Sequence, residues 1–356
     1  MRIDNVTDYS HSVPARGGLQ TAAEDPSRAG SAPMNASAPA APYWHRYYST
    51  AEIERIRRVL QVRQLPSTGV TLHLDIYPQP RRGAPLLVLN HGGGGYGGLF
   101  VKLAMACHAL GYTVVLPDQK GQGRSGGAMG DFTIDEAVQN IVDVARWARQ
   151  EYGGTLYLGG GSVGSGLTYF AAAAMARDGD PPAAVLCHNL YDFGDPRTAL
   201  EFTRFAVLAR LPLLPPLFRA LMRGLARLAP GLRLPYRPLA KFREMLDRRD
   251  WDGGFHELWR RDPHILTTVT ARYFASVLGT PAAIPFEQNQ AVPVLVTNPT
   301  RDRMVRPEVT RQSFLRLAGP RRYAELDFGH FSLQPEFTQQ LARLADAWFK
   351  EHGAGG

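Results

Sequence analysis

A glycine-rich turn with a serine at its centre constrains the fold of this chain more than any other feature. It follows a short apolar run at residues 155–158 and precedes an alanine-rich stretch without proline, so it predicts a strand, a tight turn and a helix. Gly160, Ser162 and Gly164 form the pattern G-x-S-x-G, which is typical of a serine nucleophile held on a sharp strand-to-helix turn. Glycine is favoured on both sides because a Cβ there would crowd the turn.

The same glycines also spell a dinucleotide-binding pattern. Gly159, Gly161 and Gly164 match G-x-G-x-x-G, but the acidic residue expected about 20 positions later, at the end of the next strand, is missing. The two aspartates at residues 178–180 lie before that strand. A phosphate-binding P-loop would need a lysine after Gly164, where the chain has Ser165. We therefore favour a nucleophilic serine over a nucleotide site.

Length, charge and cysteine content narrow the class of protein. The 356 residues, 44% of them hydrophobic, suffice for one large α/β domain with an insertion. The net charge of +8 forms no long basic block, so we expect a solvated surface and no nucleic-acid partner. Cys107 and Cys187 are too few for a disulfide framework, and no secretory signal is visible, which indicates a cytoplasmic protein. No apolar stretch approaches the ~20 residues of a membrane span.

The chain divides into three parts by composition. Residues 1–42 are rich in Ser, Ala, Pro and Gly and are predicted to be a disordered leader. In residues 43–189 and 291–356, strand and helix patterns alternate, which predicts a mostly parallel sheet with helices on both faces. Residues 190–290 are rich in Arg, Leu, Pro and Trp and show helical patterning, so we interpret them as a helical cap, or lid, inserted into the α/β core.

A serine hydroxyl becomes a good nucleophile only when a base takes its proton and an acid orients that base. Open α/β sheets carry their sites at the carboxyl ends of the strands. Asp302 follows the predicted strand at residues 292–297, and His330 follows the next predicted strand. The sequence therefore predicts Ser162 as the nucleophile, His330 as the base and Asp302 as the acid.

Four glycines after His91 predict an oxyanion hole. Glycine lets backbone N–H groups approach a developing oxyanion closely. One donor is expected to be the N–H of Val163, directly after the nucleophile, and the second that of Gly93, with Gly92 and Gly94 as alternatives. We expect His91 to anchor this loop rather than to act as a second base.

These motifs occur together in the order found in one superfamily. In chain order they are His91-Gly-Gly-Gly-Gly, Pro117-Asp118-x-x-Gly-x-Gly-x-Ser125, Gly160-x-Ser162-x-Gly164, Asp302 and Gly329-His330. Over residues 68–190 and 290–350 the chain resembles the α/β-hydrolase superfamily, and in detail its serine aminopeptidase and monoacylglycerol-lipase-like branch. The resemblance implies a Ser-Asp-His acyl-transfer site under a variable lid. Gln122 stands where relatives often have His, and in some relatives the acid follows the preceding strand, which leaves Asp192 and Asp195 as alternatives.

The predicted cap contains a basic helix. Arginine recurs at every fourth position, at Arg219, Arg223 and Arg227. Such a helix could be a lid that meets anionic lipid. We favour a cap helix with a solvated arginine stripe and an apolar underside that includes Leu221, Leu225 and Leu228. Four aromatic side chains of the cap are expected to line or support the roof of the pocket: Trp251, Phe255, Trp259 and Tyr273.

The sequence thus predicts a serine hydrolase that cleaves a carboxylic ester or related acyl bond through an acyl-enzyme. The expected partner is a small, apolar acyl substrate, and the chemistry needs no metal or organic cofactor. An acyltransferase or thioesterase would use the same triad, and a cofactor-free lyase would use it only as acid and base, so both remain open. A ligand-binding protein on this scaffold is disfavoured because the nucleophile and the histidine are both present. The oligomeric state is left open.

Overall fold

A computed structural model describes residues 41–247 and 254–353, so the predicted leader lies outside it except for residues 41 and 42. Within those residues, eight strands form one sheet. They are β1 (Gln61–Ser67), β2 (Val70–Tyr77), β3 (Leu86–Asn90), β4 (Thr113–Pro117), β5 (Leu156–Gly161), β6 (Ala184–His188), β9 (Val294–Pro299) and β10 (Arg321–Leu326). Their order across the sheet is β1-β2-β4-β3-β5-β6-β9-β10.

The sheet is mostly parallel, as predicted. From β4 to β10 every neighbouring pair is parallel, and only β1–β2 and β2–β4 are antiparallel. Every residue of β3, β4, β5, β6 and β9 is buried. The sequences of such strands are mostly apolar because helices cover both of their faces.

Helices flank this sheet on both sides. Those outside the insertion are α1 (Thr50–Arg57), α2 (Val101–Ala109), α3 (Ile134–Tyr152), α4 (Val163–Arg177), α9 (Pro307–Leu315) and α10 (Pro335–Gly353). Helix α2 packs beside α10, and α3 packs beside α4. A capping box begins α1, since Ser49 accepts from the N–H of Glu52 and the Glu52 carboxylate accepts from the N–H of Ser49. Among the described helices, none has the length and apolar character needed to cross a membrane.

A mostly helical segment is inserted between β6 and β9. Its described elements are α5 (Pro196–Glu201), α6 (Leu214–Leu228), β7 (Arg233–Pro235), α7 (Phe255–Arg261), β8 (Thr268–Thr270) and α8 (Ala271–Val277). Strands β7 and β8 pair antiparallel. The helical pattern was expected, but this small strand pair was not, because three residues are too few to establish an alternation.

Candidate active site

The predicted nucleophile lies on a strained turn between β5 and α4. Ser162 has φ 57° and ψ −130°, a left-handed conformation that is uncommon outside glycine. Its N–H donates to the carbonyl oxygen of His188 at 2.9 Å. A Cβ on Gly160 would lie 2.3 Å from the carbonyl oxygen of Gly164, and a Cβ on Gly164 would lie 2.2 Å from that of His91. Both glycines are therefore required for the turn to pack.

The structure brings the three predicted catalytic side chains together. His330 Nε2 lies 2.8 Å from Ser162 Oγ, and His330 Nδ1 lies 2.7 Å from Asp302 Oδ2. The residue exposures are 4% for His330 and 9% for Asp302, so water competes little for these bonds. This geometry allows the imidazole to take the hydroxyl proton while the carboxylate fixes the tautomer of the ring.

The carboxylate of Asp302 is held by further donors. Its Oδ1 accepts from the backbone N–H groups of Met304 and Val305, each at 2.9 Å. Its Oδ2 also accepts from the side-chain amide of Asn189 at 3.2 Å. Asn189 adopts φ 64° directly after β6. Sequence reasoning missed this residue, although its place after a core strand put it at the same edge of the sheet as the triad.

The two alternative acids, Asp192 and Asp195, form hydrogen bonds with other groups. Asp192 Oδ2 accepts from Arg316 Nη1 at 2.6 Å, and Asp192 Oδ1 accepts from the N–H of Gly194. Asp195 caps the start of α5, where it accepts from the N–H of Arg197. The carboxylate within hydrogen-bond distance of His330 is that of Asp302.

The two residues predicted to supply the oxyanion donors, Val163 and Gly93, lie close to each other beside the serine. A Cβ on Gly92 would lie 3.2 Å from the Cβ of Ser162, and a Cβ on Gly93 would lie 2.8 Å from Cγ2 of Val163. The same point on Gly93 is 2.9 Å from the hydroxyl oxygen of Tyr236, a residue of the inserted segment that the sequence did not single out. Burial raises the pKa of Tyr236 to about 12, so its hydroxyl stays protonated near neutral pH.

His91 binds the backbone through both ring nitrogens. Its Nδ1 lies 2.9 Å from the carbonyl oxygen of Gly92, and its Nε2 accepts from the N–H of Gln119 at 3.1 Å. Burial lowers the pKa of His91 to about 4, so the ring is neutral near neutral pH. These contacts tie the glycine loop to the loop after β4, which is the anchoring role expected of this residue.

An apolar pocket with about 820 Å³ of empty volume, part of it open to solvent, leads away from Ser162. Its wall next to the sheet contains Leu89 and Leu186, and α2 and α10 contribute further side chains: Leu103, Phe337 and Leu341. Sequence reasoning missed this wall because leucines at such positions read as plain core. The pocket therefore extends between the sheet and the pair α2–α10.

The inserted segment supplies the other wall of the pocket, through Phe242, Met245 and Trp259. Of the four aromatic residues expected at the roof, Trp259 lines the pocket. Phe255 packs against Trp259, with 5.8 Å between the ring centroids. Tyr273 instead packs against Tyr236 and Phe132. Trp251 lies outside the described residues.

Known structures resemble this chain over most of its length. The match to a monoacylglycerol lipase from Paleococcus ferrophilus has 24% identity and a TM-score of 0.61, and covers 79% of this chain and 99% of the lipase. A soluble variant of monoglyceride lipase from Saccharomyces cerevisiae matches at 14% identity and a TM-score of 0.63, with 83% and 97% covered. The enol-lactonase from Burkholderia xenovorans matches at 18% identity and a TM-score of 0.55, with 81% and 100% covered.

These likenesses, all below 25% identity, confirm the predicted α/β-hydrolase fold. No curated protein sequence gives a significant match. A family model described as serine aminopeptidase, S33, matches residues 82–326, most of the chain, and the chain therefore belongs to this family of α/β-hydrolases.

Proposed function

We propose that this protein is a serine hydrolase that cleaves a carboxylic ester or related acyl bond through an acyl-enzyme. The observation that carries the proposal is the hydrogen-bonded series from Ser162 Oγ through His330 to Asp302 at one end of an apolar pocket. A base within hydrogen-bond reach of the hydroxyl, oriented by a buried carboxylate, is the arrangement that serine acyl transfer requires.

In the proposed mechanism, Ser162 attacks the acyl carbonyl carbon while His330 Nε2 takes the hydroxyl proton. The negative charge that develops on the carbonyl oxygen is stabilised by the N–H groups of Val163 and Gly93. His330 then donates its proton to the leaving alcohol. A water molecule attacks the acyl carbon while the same imidazole takes its proton, and that proton passes to Ser162 Oγ as the free acid is released. The carboxylate of Asp302 holds the ring of His330 in place in both steps.

The lining of the pocket supports an apolar acyl group as the substrate. Apart from the catalytic side chains and a few polar groups, its walls are leucine, methionine and aromatic side chains. We propose that residues 190–290 act as the cap over this pocket, since Phe242, Met245 and Trp259 of that segment line it. The names of the structural neighbours, two monoacylglycerol lipases and an enol-lactonase, agree with an acyl substrate.

A fluorophosphonate probe tests the nucleophile directly. The wild type is expected to react covalently, and Ser162→Ala is expected to lose the label. Ser165→Ala is the matched control, because Ser165 lies three residues later and its hydroxyl donates to the carbonyl oxygen of Ser162 at 2.7 Å. Labelling that survives Ser162→Ala but disappears in Ser165→Ala would contradict the proposal.

Turnover of a panel of acyl esters and thioesters then tests the reaction class. Release of free acid, with faster turnover of esters that carry longer acyl chains, supports ester hydrolysis. Transfer of the acyl group to an added alcohol or amine, with little free acid, would assign an acyltransferase on the same acyl-enzyme. Carbon–carbon cleavage without labelling of Ser162 during turnover would assign a lyase instead.

A further inference from the structure

Exposed apolar side chains concentrate in one part of the inserted segment. Of the twelve large hydrophobic residues that are exposed in the described part of the chain, eight lie within residues 205–232. Four of them form what we call the leucine stripe, with exposures of 80%, 64%, 64% and 88% for Leu213, Leu217, Leu221 and Leu228. Scattered surface leucines need no explanation, but a contiguous set marks an interaction surface.

The leucine stripe is one of three faces of helix α6. At 3.6 residues per turn, its four members fall within one quarter of the helix circumference. A second face packs on the core through Pro215, Phe218, Met222 and Leu225. The third carries Arg219, Arg223 and Arg227 and lies on the other side of the leucine stripe. The expectation that Leu221 and Leu228 form the underside of this helix is therefore wrong, because both face solvent.

The sequence that contains this helix carries basic residues without acidic ones. Residues 202–243 contain nine basic and no acidic residues, whereas the whole chain has a net charge of +8. Partial burial, followed by the charges of Arg219 and Arg227, lowers the pKa of Arg223. Two copies of this face would repel each other, so self-association through it is disfavoured.

We propose that the leucine stripe docks on a lipid surface that contains anionic headgroups. The neighbouring face with Arg219, Arg223 and Arg227, which we call the arginine border, would contact the same surface. Leucines inserted at the boundary between headgroups and acyl chains would be buried from water, and the arginines beside them would bind phosphate groups. The interaction goes beyond the proposed ester hydrolysis and does not depend on it. The same inserted segment also supplies Phe242 and Trp259 to the pocket.

Vesicle co-sedimentation with full-length protein carrying Ser162→Ala tests the docking without turnover. We expect binding to vesicles of phosphatidylcholine and phosphatidylglycerol, weaker binding to phosphatidylcholine alone, and loss of the difference at high salt. Changing Leu213, Leu217 and Leu221 together to Ser should reduce partitioning at least about tenfold. The matched control is Leu315→Ser, which alters an equally exposed leucine on α9 (60% exposed) and should bind like its parent.

A charge reversal tests the arginine border separately. Arg227→Glu should weaken binding to the anionic vesicles several-fold, and Arg343→Glu on the exposed side of α10 should have a smaller effect. Absence of binding to anionic vesicles at low salt would overturn the proposal. So would partitioning that the triple leucine variant leaves unchanged. A wild-type dimer that this variant dissociates, without any lipid binding, would assign the face to a second copy instead.

Discussion

Single residues determine the chemistry of the candidate site, where hydrogen bonds join Ser162, His330 and Asp302. Ser162, Asp302 and His330 could be selected because each follows a recognisable core strand, and parallel strands bring their carboxyl ends to one edge. Asn189 also follows a core strand, yet neither it nor Tyr236, which lies in the inserted segment, could be selected. Their importance depends on a contact across the fold, and neither residue type signals that contact in the sequence.

The first prediction at this scale concerns the acid. Asp302→Asn should lower kcat by up to ~10⁴-fold, because an amide no longer holds the imidazole in the tautomer that accepts the serine proton. Asp192→Asn is the matched control, since Asp192 pairs with Arg316 rather than with His330. Steady-state kinetics on an ester that the wild type hydrolyses measures both variants. If Asp192→Asn were the more damaging of the two, the acid would have been assigned wrongly.

At the scale of elements, the strand–turn–helix unit could be predicted because its glycines, apolar strand and alanine-rich helix agree with one another. Strand β1 could not. It lies at the edge of the sheet, most of its residues are exposed, and it contains Pro66, so it lacks both an apolar alternation and a buried run. The depth of the pocket was missed for a related reason: whether a leucine faces a cavity or another leucine depends on helix packing.

A substitution in the turn tests how tightly this unit packs against the glycine loop. Gly164→Ala places a methyl group 2.2 Å from the carbonyl oxygen of His91, so it should destabilise the fold by about 1–3 kcal/mol and lower activity. Gly224→Ala in α6 is the control. It has open space around it, and alanine there should stabilise the helix by about 0.5–1 kcal/mol. Denaturant unfolding of the three proteins measures both effects, and equal stability of Gly164→Ala and wild type would contradict the packing described.

For the whole molecule, buried histidines predict how stability depends on pH. Burial lowers the pKa of His91 to about 4, and burial together with the nearby His330 does the same for His188, from an ordinary value of 6.5. Between these values the unfolded chain binds protons that the folded chain does not. The free energy of unfolding should therefore fall as the pH drops from 6.5 towards 4, by up to about 3 kcal/mol for each histidine.

Two other groups have the opposite effect on stability, because their pKa values are higher in the folded protein. Burial raises the pKa of Asp118 to about 6, and the hydrogen bond with Asp75 raises that of His73 against the effect of its burial. A variant separates the contribution of His188 to the pH dependence from those of Asp118 and His73. His188→Gln should flatten the pH dependence of unfolding between pH 6.5 and 4. Parallel curves for His188→Gln and wild type would show that folding does not lower the pKa of His188.

Leu186 of β6 and Leu341 of α10 line the pocket, and this limits how the substrate selectivity of the enzyme can change. Both side chains also belong to the hydrophobic core that joins the sheet to its helices. Trimming either one to admit a bulkier acyl group would leave a void whenever no ligand fills it. A change in selectivity would then lower the thermal stability, unless a second substitution elsewhere restored the lost packing.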